Sequence, residues 1–292
     1  MLIALLIAFM IFCYTVQSLF SKYFAMHYDG NPSTASLVFA VIFGSFIAVA
    51  TFLSGGMTFA PSGLTVALGC ANAVVLVLYQ LALIGASMRG SYAILNLCML
   101  FGGIIVPMIT STIMLDQSLT GLQIAAVAVM LAAFVLLNVQ GASMTDTRRG
   151  FWPFCLLLFL TNGLYGAINS LQANLMDGTE RTEMITIGYL GSAILAFAAV
   201  AVMRRGKTLS DFRLKPKAIG FAAGCCVAAT VAVNVVMYLY SVVNTTVLST
   251  LDNGGVMVTS SLCALFLFGE RPTKLQFCGL GLALCSIVML SL

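Results

Sequence analysis

Thr120-Gly-Leu-Gln123 opens one apolar run, and 153 positions later Thr273-Lys-Leu-Gln276 opens another. Each matches a capping box, in which the hydroxyl accepts from the third amide N–H and the glutamine returns to the first. The correspondence extends outward: Gln117 aligns with Glu270, and Gly102 with Gly255. Earlier in each half a polar stripe appears at i, i+3, i+4, i+7, as Tyr14, Gln17, Ser18 and Ser21, then as Asn162, Tyr165, Gly166 and Asn169. The chain therefore reads as two copies of one pattern.

The solvent of that pattern is hydrocarbon. Of 292 residues 61% are hydrophobic and 8% charged, against about 25% charged in a soluble domain. Roughly 20 apolar residues cross a bilayer as a helix, and hydropathy with breaker residues marks ten spans: 3–26, 33–53, 62–86, 91–114, 120–139, 151–173, 183–203, 217–239, 245–268 and 274–291. Asn31-Pro32 and Lys215-Pro216 start the second and eighth with proline at the first helical position. The expected fold is all-α and polytopic. Residues 1–140 form a first five-helix repeat, 141–150 a connecting loop and 151–292 a second repeat. Five crossings are an odd number, so the second repeat enters the membrane inverted, a pattern associated with alternating access.

The start, MLIALLIAFMIFCYTVQSLF, lacks a basic leader and stays apolar too long for a cleaved signal, so it is expected to be the first span. Eleven of the 13 Lys and Arg fall in loops after odd-numbered spans, among them Arg89, Arg148, Arg149, Arg204, Arg205, Lys207, Arg213, Lys215, Lys217, Arg271 and Lys274. Basic short loops favour the cytoplasm, which puts both termini outside a cell (plasma or inner) membrane. No basic face fits a nucleic acid. The nine cysteines lie in apolar runs without ligand spacing and read as small packing residues. Ala128-x-x-x-Ala132 and Gly279-x-x-x-Ala283 read as close-approach packing, Phe151-Trp152 as an interfacial anchor, and His27 as a solvated loop histidine.

Asp252 is the one acid inside a span. A carboxylate in hydrocarbon costs about 2.5 to 3.5 kcal/mol on insertion scales, so it faces water or a partner. Two roles are open: a counter-charge or proton site for a substrate, or a hydrogen-bonded lock on helix packing. Ser249, Asn253 and the corresponding span's Asn96 are its expected partners. Gly254-Gly255 and Gly102-Gly103 with Pro107 are expected hinges or helix breaks, and such paired interruptions point to a site between repeats. Tyr14, Gln17, Tyr79, Tyr165, Asn169, Asn234 and Tyr238 complete the candidate lining. Aromatic rings around one carboxylate suit a small cation or zwitterion, such as an amino acid, amine or choline-like compound. No nucleophile–base pair, metal-ligand spacing or phosphate loop occurs, so neither enzyme activity nor metal or cofactor is expected; a coupling ion would be a proton or sodium.

Leu115-Asp-Gln-Ser-Leu-Thr-Gly-Leu-Gln123 and Phe268-Gly-Glu-Arg-Pro-Thr-Lys-Leu-Gln276 resemble the ends of the two halves of EamA-like members of the drug/metabolite transporter superfamily. Gly269-Glu270-Arg271-Pro272 is close to the family pattern, whereas Asp116-Gln117 departs from it. The resemblance implies a secondary carrier of a small polar metabolite, with a central cavity lined by spans one, three, four, six, eight and nine. Its members are often drawn with termini inside, opposite to the charge count. The rival classes are a passive channel and a non-transporting scaffold or receptor. The expected partners are a small-molecule substrate and the lipid bilayer, with the chain a monomer or homodimer.

Overall fold

A computed structural model of the chain describes residues 2–28, 32–87, 89–138, 149–203, 214–268 and 273–291. Among these are ten helices and no strand: α1 (Leu2–His27), α2 (Pro32–Ser54), α3 (Gly63–Ser87), α4 (Tyr92–Met114), α5 (Gly121–Asn138), α6 (Phe151–Leu175), α7 (Arg181–Met203), α8 (Pro216–Tyr240), α9 (Thr245–Phe268) and α10 (Lys274–Ser291). No boundary differs from its expected span by more than two residues. Both capping boxes form. The N–H of Thr120 donates to Gln123 Oε1 (3.1 Å) and that of Gln123 to Thr120 Oγ1 (3.2 Å). At α10 the corresponding bonds are 3.0 and 3.4 Å. Pro216 opens α8 as expected.

Helices α1 to α8 are each long and apolar enough to cross a membrane. α10, over Lys274–Ser291, is an apolar helix as well. α9 carries an unusual number of Thr, Ser, Asp and Asn residues for a helix in such a chain. The chain is an all-helical, polytopic membrane protein. Asn31, Arg148, Arg204, Arg205, Lys207, Arg213 and Gly269–Pro272 lie outside the described residues, and with them much of the loop charge used for orientation.

The helices gather into two compact units, Met1–Ile84 with Gln172–Ser241 and Gly85–Leu171 with Val242–Leu292. Each unit draws helices from both halves of the sequence.

In the first unit, α2 and α7 pack antiparallel, with Gly44 against Tyr189 and Gly55 against Thr182. A Cβ on Gly44 would come 2.7 Å from Tyr189 O, so glycine is what permits that approach. α1 packs along α8, where Phe221 meets Phe20, Tyr23 and His27. His27 is not a solvated loop residue. It ends α1, its Nδ1 donates to Tyr23 O (2.8 Å), and its ring lies 5.1 Å from that of Phe221.

The α6–α7 connection is tied to the start of α3. Glu180 Oε2 accepts from the N–H and Oγ of Ser62, both at 2.9 Å, which satisfies an otherwise open helix-terminal donor. Hydrogen bonds from Thr65 first, then Ser62, hold the Glu180 carboxyl below its ordinary range. Buried Gln172 adds bonds to Thr65 Oγ1 (3.3 Å) and Thr179 O (3.1 Å).

In the second unit, α5 and α10 pack antiparallel around Met130, Ala133, Phe134 and Ala283, all fully buried. Ser286 Oγ donates to Ala126 O (2.6 Å), and a Cβ on Gly279 would meet Ala133 O at 3.1 Å. Gly279 and Ala283 thus lie at the interface as expected, but Ala128 and Ala132 are exposed and Ala126 and Ala133 take their place. In lipid both faces of α5 are apolar, so hydropathy does not mark which packs. Phe151 is buried against Gly90, while Trp152 is exposed.

Candidate functional site

Helices α4, α6 and α9 converge in the second unit on two glycines. At Gly102 a Cβ would lie 2.6 Å from the carbonyl carbon and 2.7 Å from the Cα of Phe159 on α6, and nearer still to its oxygen. At Gly103 a Cβ would meet Asn162 Nδ2 at 2.6 Å and Asn253 Oδ1 at 2.9 Å. The absent side chains leave a notch in which carboxamides from α6 and α9 meet over the backbone of α4.

Both amides are anchored through nitrogen. Asn162 Nδ2 donates to Met99 O (2.8 Å), and Asn253 Nδ2 donates to Ser249 O (2.9 Å) and Gly103 O (3.4 Å). Nearer the other end of the same bundle, Ser170 on α6 hydrogen-bonds Thr245 on α9, and Ser111 on α4 lies 3.0 Å from Thr246. The N–H of Thr245 donates to Gln117 Oε1 (2.9 Å). These contacts fix an antiparallel register in which Ser170 is level with Thr245 and Asn162 with Asn253. Asp252 therefore lies at the depth of the carboxamide pair. It is half-buried, and among the described residues nothing forms a hydrogen bond or ion pair with it.

Ser249 is buried beneath this junction. Asn96 lies toward the opposite end of α4, where its Nδ2 donates to Asn138 Oδ1 (3.1 Å) and Asn138 Nδ2 to Phe134 O (2.9 Å). Tyr165 and buried Asn169 continue the α6 stripe. The residues marked as helix breaks do not interrupt their helices. α4 runs continuously through Gly102, Gly103 and Pro107, and α9 through Gly254 and Gly255. Close packing explains the glycines better, since Gly254 sits against Met130 of α5.

The remaining candidates belong to the first unit. Tyr14, Gln17, Tyr79 and Asn234 are half-buried, and Asn234 Nδ2 donates to Thr230 O (2.8 Å) and Thr51 Oγ1 (3.2 Å). Tyr238 is exposed, with the Arg181 guanidinium 5.2 Å from its ring centroid. Asn138 and Gln117 were missed as site-supporting groups; both stand at span ends, where an amide reads as an ordinary boundary residue.

Residues 152–292 match the model of the EamA-like transporter family. The second half of the chain belongs to that family. This EamA-like chain is a membrane transporter of the drug/metabolite type, multi-pass in lipid, acting on a small molecule; the family's members are transporters and not enzymes. One solved crystal structure, described only as that of a protein, superposes at TM-score 0.76 over 98% of this chain and 95% of its own. At 13% identity the likeness is one of fold. No curated protein matches the EamA-like chain.

Proposed function

We propose that the protein is a secondary-active carrier of a small polar, cationic or zwitterionic metabolite, with Asp252 as the counter-charge or proton carrier at its binding site. The observation that carries this reading is a carboxylate without a partner among the described residues, at the level of Asn162 and Asn253, in a helix too polar to face lipid on all sides. Alternating access fits the inverted repeat. Corresponding helices α2 and α7, α4 and α9, and α5 and α10 pack antiparallel, as a two-fold axis in the membrane plane requires.

On this reading the two repeats rock about a substrate held near mid-membrane. Transport is coupled to a proton or sodium ion if it is driven uphill, and no other cofactor takes part. On the same reading both termini lie outside the cell membrane, the side that the loop charges favour, and the chain acts as a monomer or homodimer. The test begins with a thermal-shift screen of purified protein over amino acids, sugars, nucleosides and quaternary amines, because a true ligand stabilises the folded state by mass action. Hits are then followed in proteoliposomes. A carrier gives saturable uptake and counterflow. Flux without saturation or counterflow identifies a channel, and absence of flux for every stabilising ligand identifies a receptor or scaffold.

A further inference from the structure

The polar groups at the α4–α6–α9 junction are sorted by kind. Every donor whose partner is known points back into the protein: Asn162 Nδ2 to Met99 O, Asn253 Nδ2 to Ser249 O and Gly103 O, and Thr250 Oγ1 to Thr246 O (2.8 Å). The acceptors are left over. Among the described residues nothing donates to Asn162 Oδ1, Asn253 Oδ1 or the Asp252 carboxylate.

The charges are sorted as well. Among the described residues of this unit the basic side chains are Arg89, Arg149 and Lys274, all at or beyond helix ends. Arg89 is turned away, its Nη1 donating to Gly85 O (2.8 Å) and its guanidinium 4.7 Å from the Phe154 ring centroid. Among the described residues of this unit no cation is placed to neutralise Asp252, and no donor occupies the two amide oxygens. Half-buried acceptors without a protein donor are open to a ligand, and a carboxylate with two amide oxygens at one depth suits a ligand that brings both charge and N–H bonds.

We infer that the junction of Asp252, Asn162 and Asn253 binds a protonated primary amine through its N–H groups. A primary ammonium carries three N–H donors on a positive nitrogen, so it offers a charge to the carboxylate and hydrogen bonds to carbonyl oxygens at the same depth. A quaternary ammonium has the charge but no donor and leaves both amide oxygens unmatched. An anion meets only acceptors. The inference rests on the carrier reading for the placement of substrate at this junction, and narrows it from cations in general to hydrogen-bonding ones.

The test compares 2-phenylethylammonium, its N,N,N-trimethyl analogue and 3-phenylpropionate as ligands of the purified full-length protein in detergent, measured by thermal shift and by calorimetry. The primary amine is expected to bind saturably. The trimethyl analogue should bind at least about tenfold more weakly, the worth of one hydrogen bond to a charged group, and the carboxylate not at all. Asp252→Asn should abolish primary-amine binding. Asn162→Ser, a milder change, should erase the preference for the primary amine while leaving a weak common affinity.

A variant that melts as the native protein does without ligand yet fails to bind supports the assignment. Equal or tighter binding of the trimethyl compound, binding of the carboxylate alone, no binding of any amine, or full primary-amine affinity in Asp252→Asn overturns it. Counterflow of a different ligand class in proteoliposomes would leave the carrier reading standing while this assignment fell.

Discussion

Replacing Gly102 by alanine tests the packing that brings Asn162 and Asn253 together. The new methyl carbon would stand 2.6 and 2.7 Å from the carbonyl carbon and Cα of Phe159, where ordinary contact begins at 3.4 Å. These are backbone atoms of α6, so no rotamer change relieves the clash, and α4 and α6 must separate by about 1 Å. Overpacking of this kind costs about 1 to 3 kcal/mol, and loss of the close approach also weakens the α4–α6 contacts. Alanine returns about 1 kcal/mol through helix propensity, so the net effect is a destabilisation of up to about 2 kcal/mol. The control is Gly281→Ala on α10, where the added carbon has no neighbour within 4 Å; there only the propensity gain acts, and stability should rise slightly. Both variants are compared by thermal melting of purified protein in one detergent. Gly102→Ala melting at or above the temperature of Gly281→Ala would refute the close approach of α4 to α6.

Three further outcomes follow from particular contacts. Thr120→Ala and Thr273→Ala each remove a formed capping box, costing about 1 kcal/mol, read as a melting point lowered by about 2 to 4 °C; no change in either would show the boxes to be inert. Because hydrogen bonds hold the Glu180 carboxyl below its ordinary 4.5, its contribution is complete above that pH and fades as pH falls through the lowered value. The native protein should therefore melt above Glu180→Gln at pH 7, with the gap closing below pH 4.5; a gap that persists or widens in acid contradicts the assignment. An epitope tag at the N-terminus should bind antibody on intact cells, and binding only after permeabilisation would reverse the proposed orientation.

The helices were legible because in lipid a span must be long, apolar and capped, and each requirement leaves a local mark. The Thr-x-x-Gln boxes marked two starts, and Pro216 a third. The partition into two units, each drawn from both halves of the sequence, was not legible, since apolar residues surround α5 and α10 and conceal the packing face. Asp252 and Asn253 stood out because polarity inside a span is costly. Asn162 belonged to a visible stripe, but its meeting with Asn253 depends on two glycines of α4 whose spacing looked like a helix break. The Ser62–Glu180 link joins residues 118 positions apart through a single carboxylate, and no periodicity signals it.

The account depends most on the carboxylate of α9. The most direct measurement is transport of an identified substrate by proteoliposomes containing native protein or Asp252→Asn, each across a range of pH and with protein amounts matched. The account predicts that the variant loses at least about tenfold in rate, one hydrogen bond to a charged group or more, and that any remaining flux no longer varies with pH as the native flux does. Native rates and a native pH profile in Asp252→Asn would contradict it.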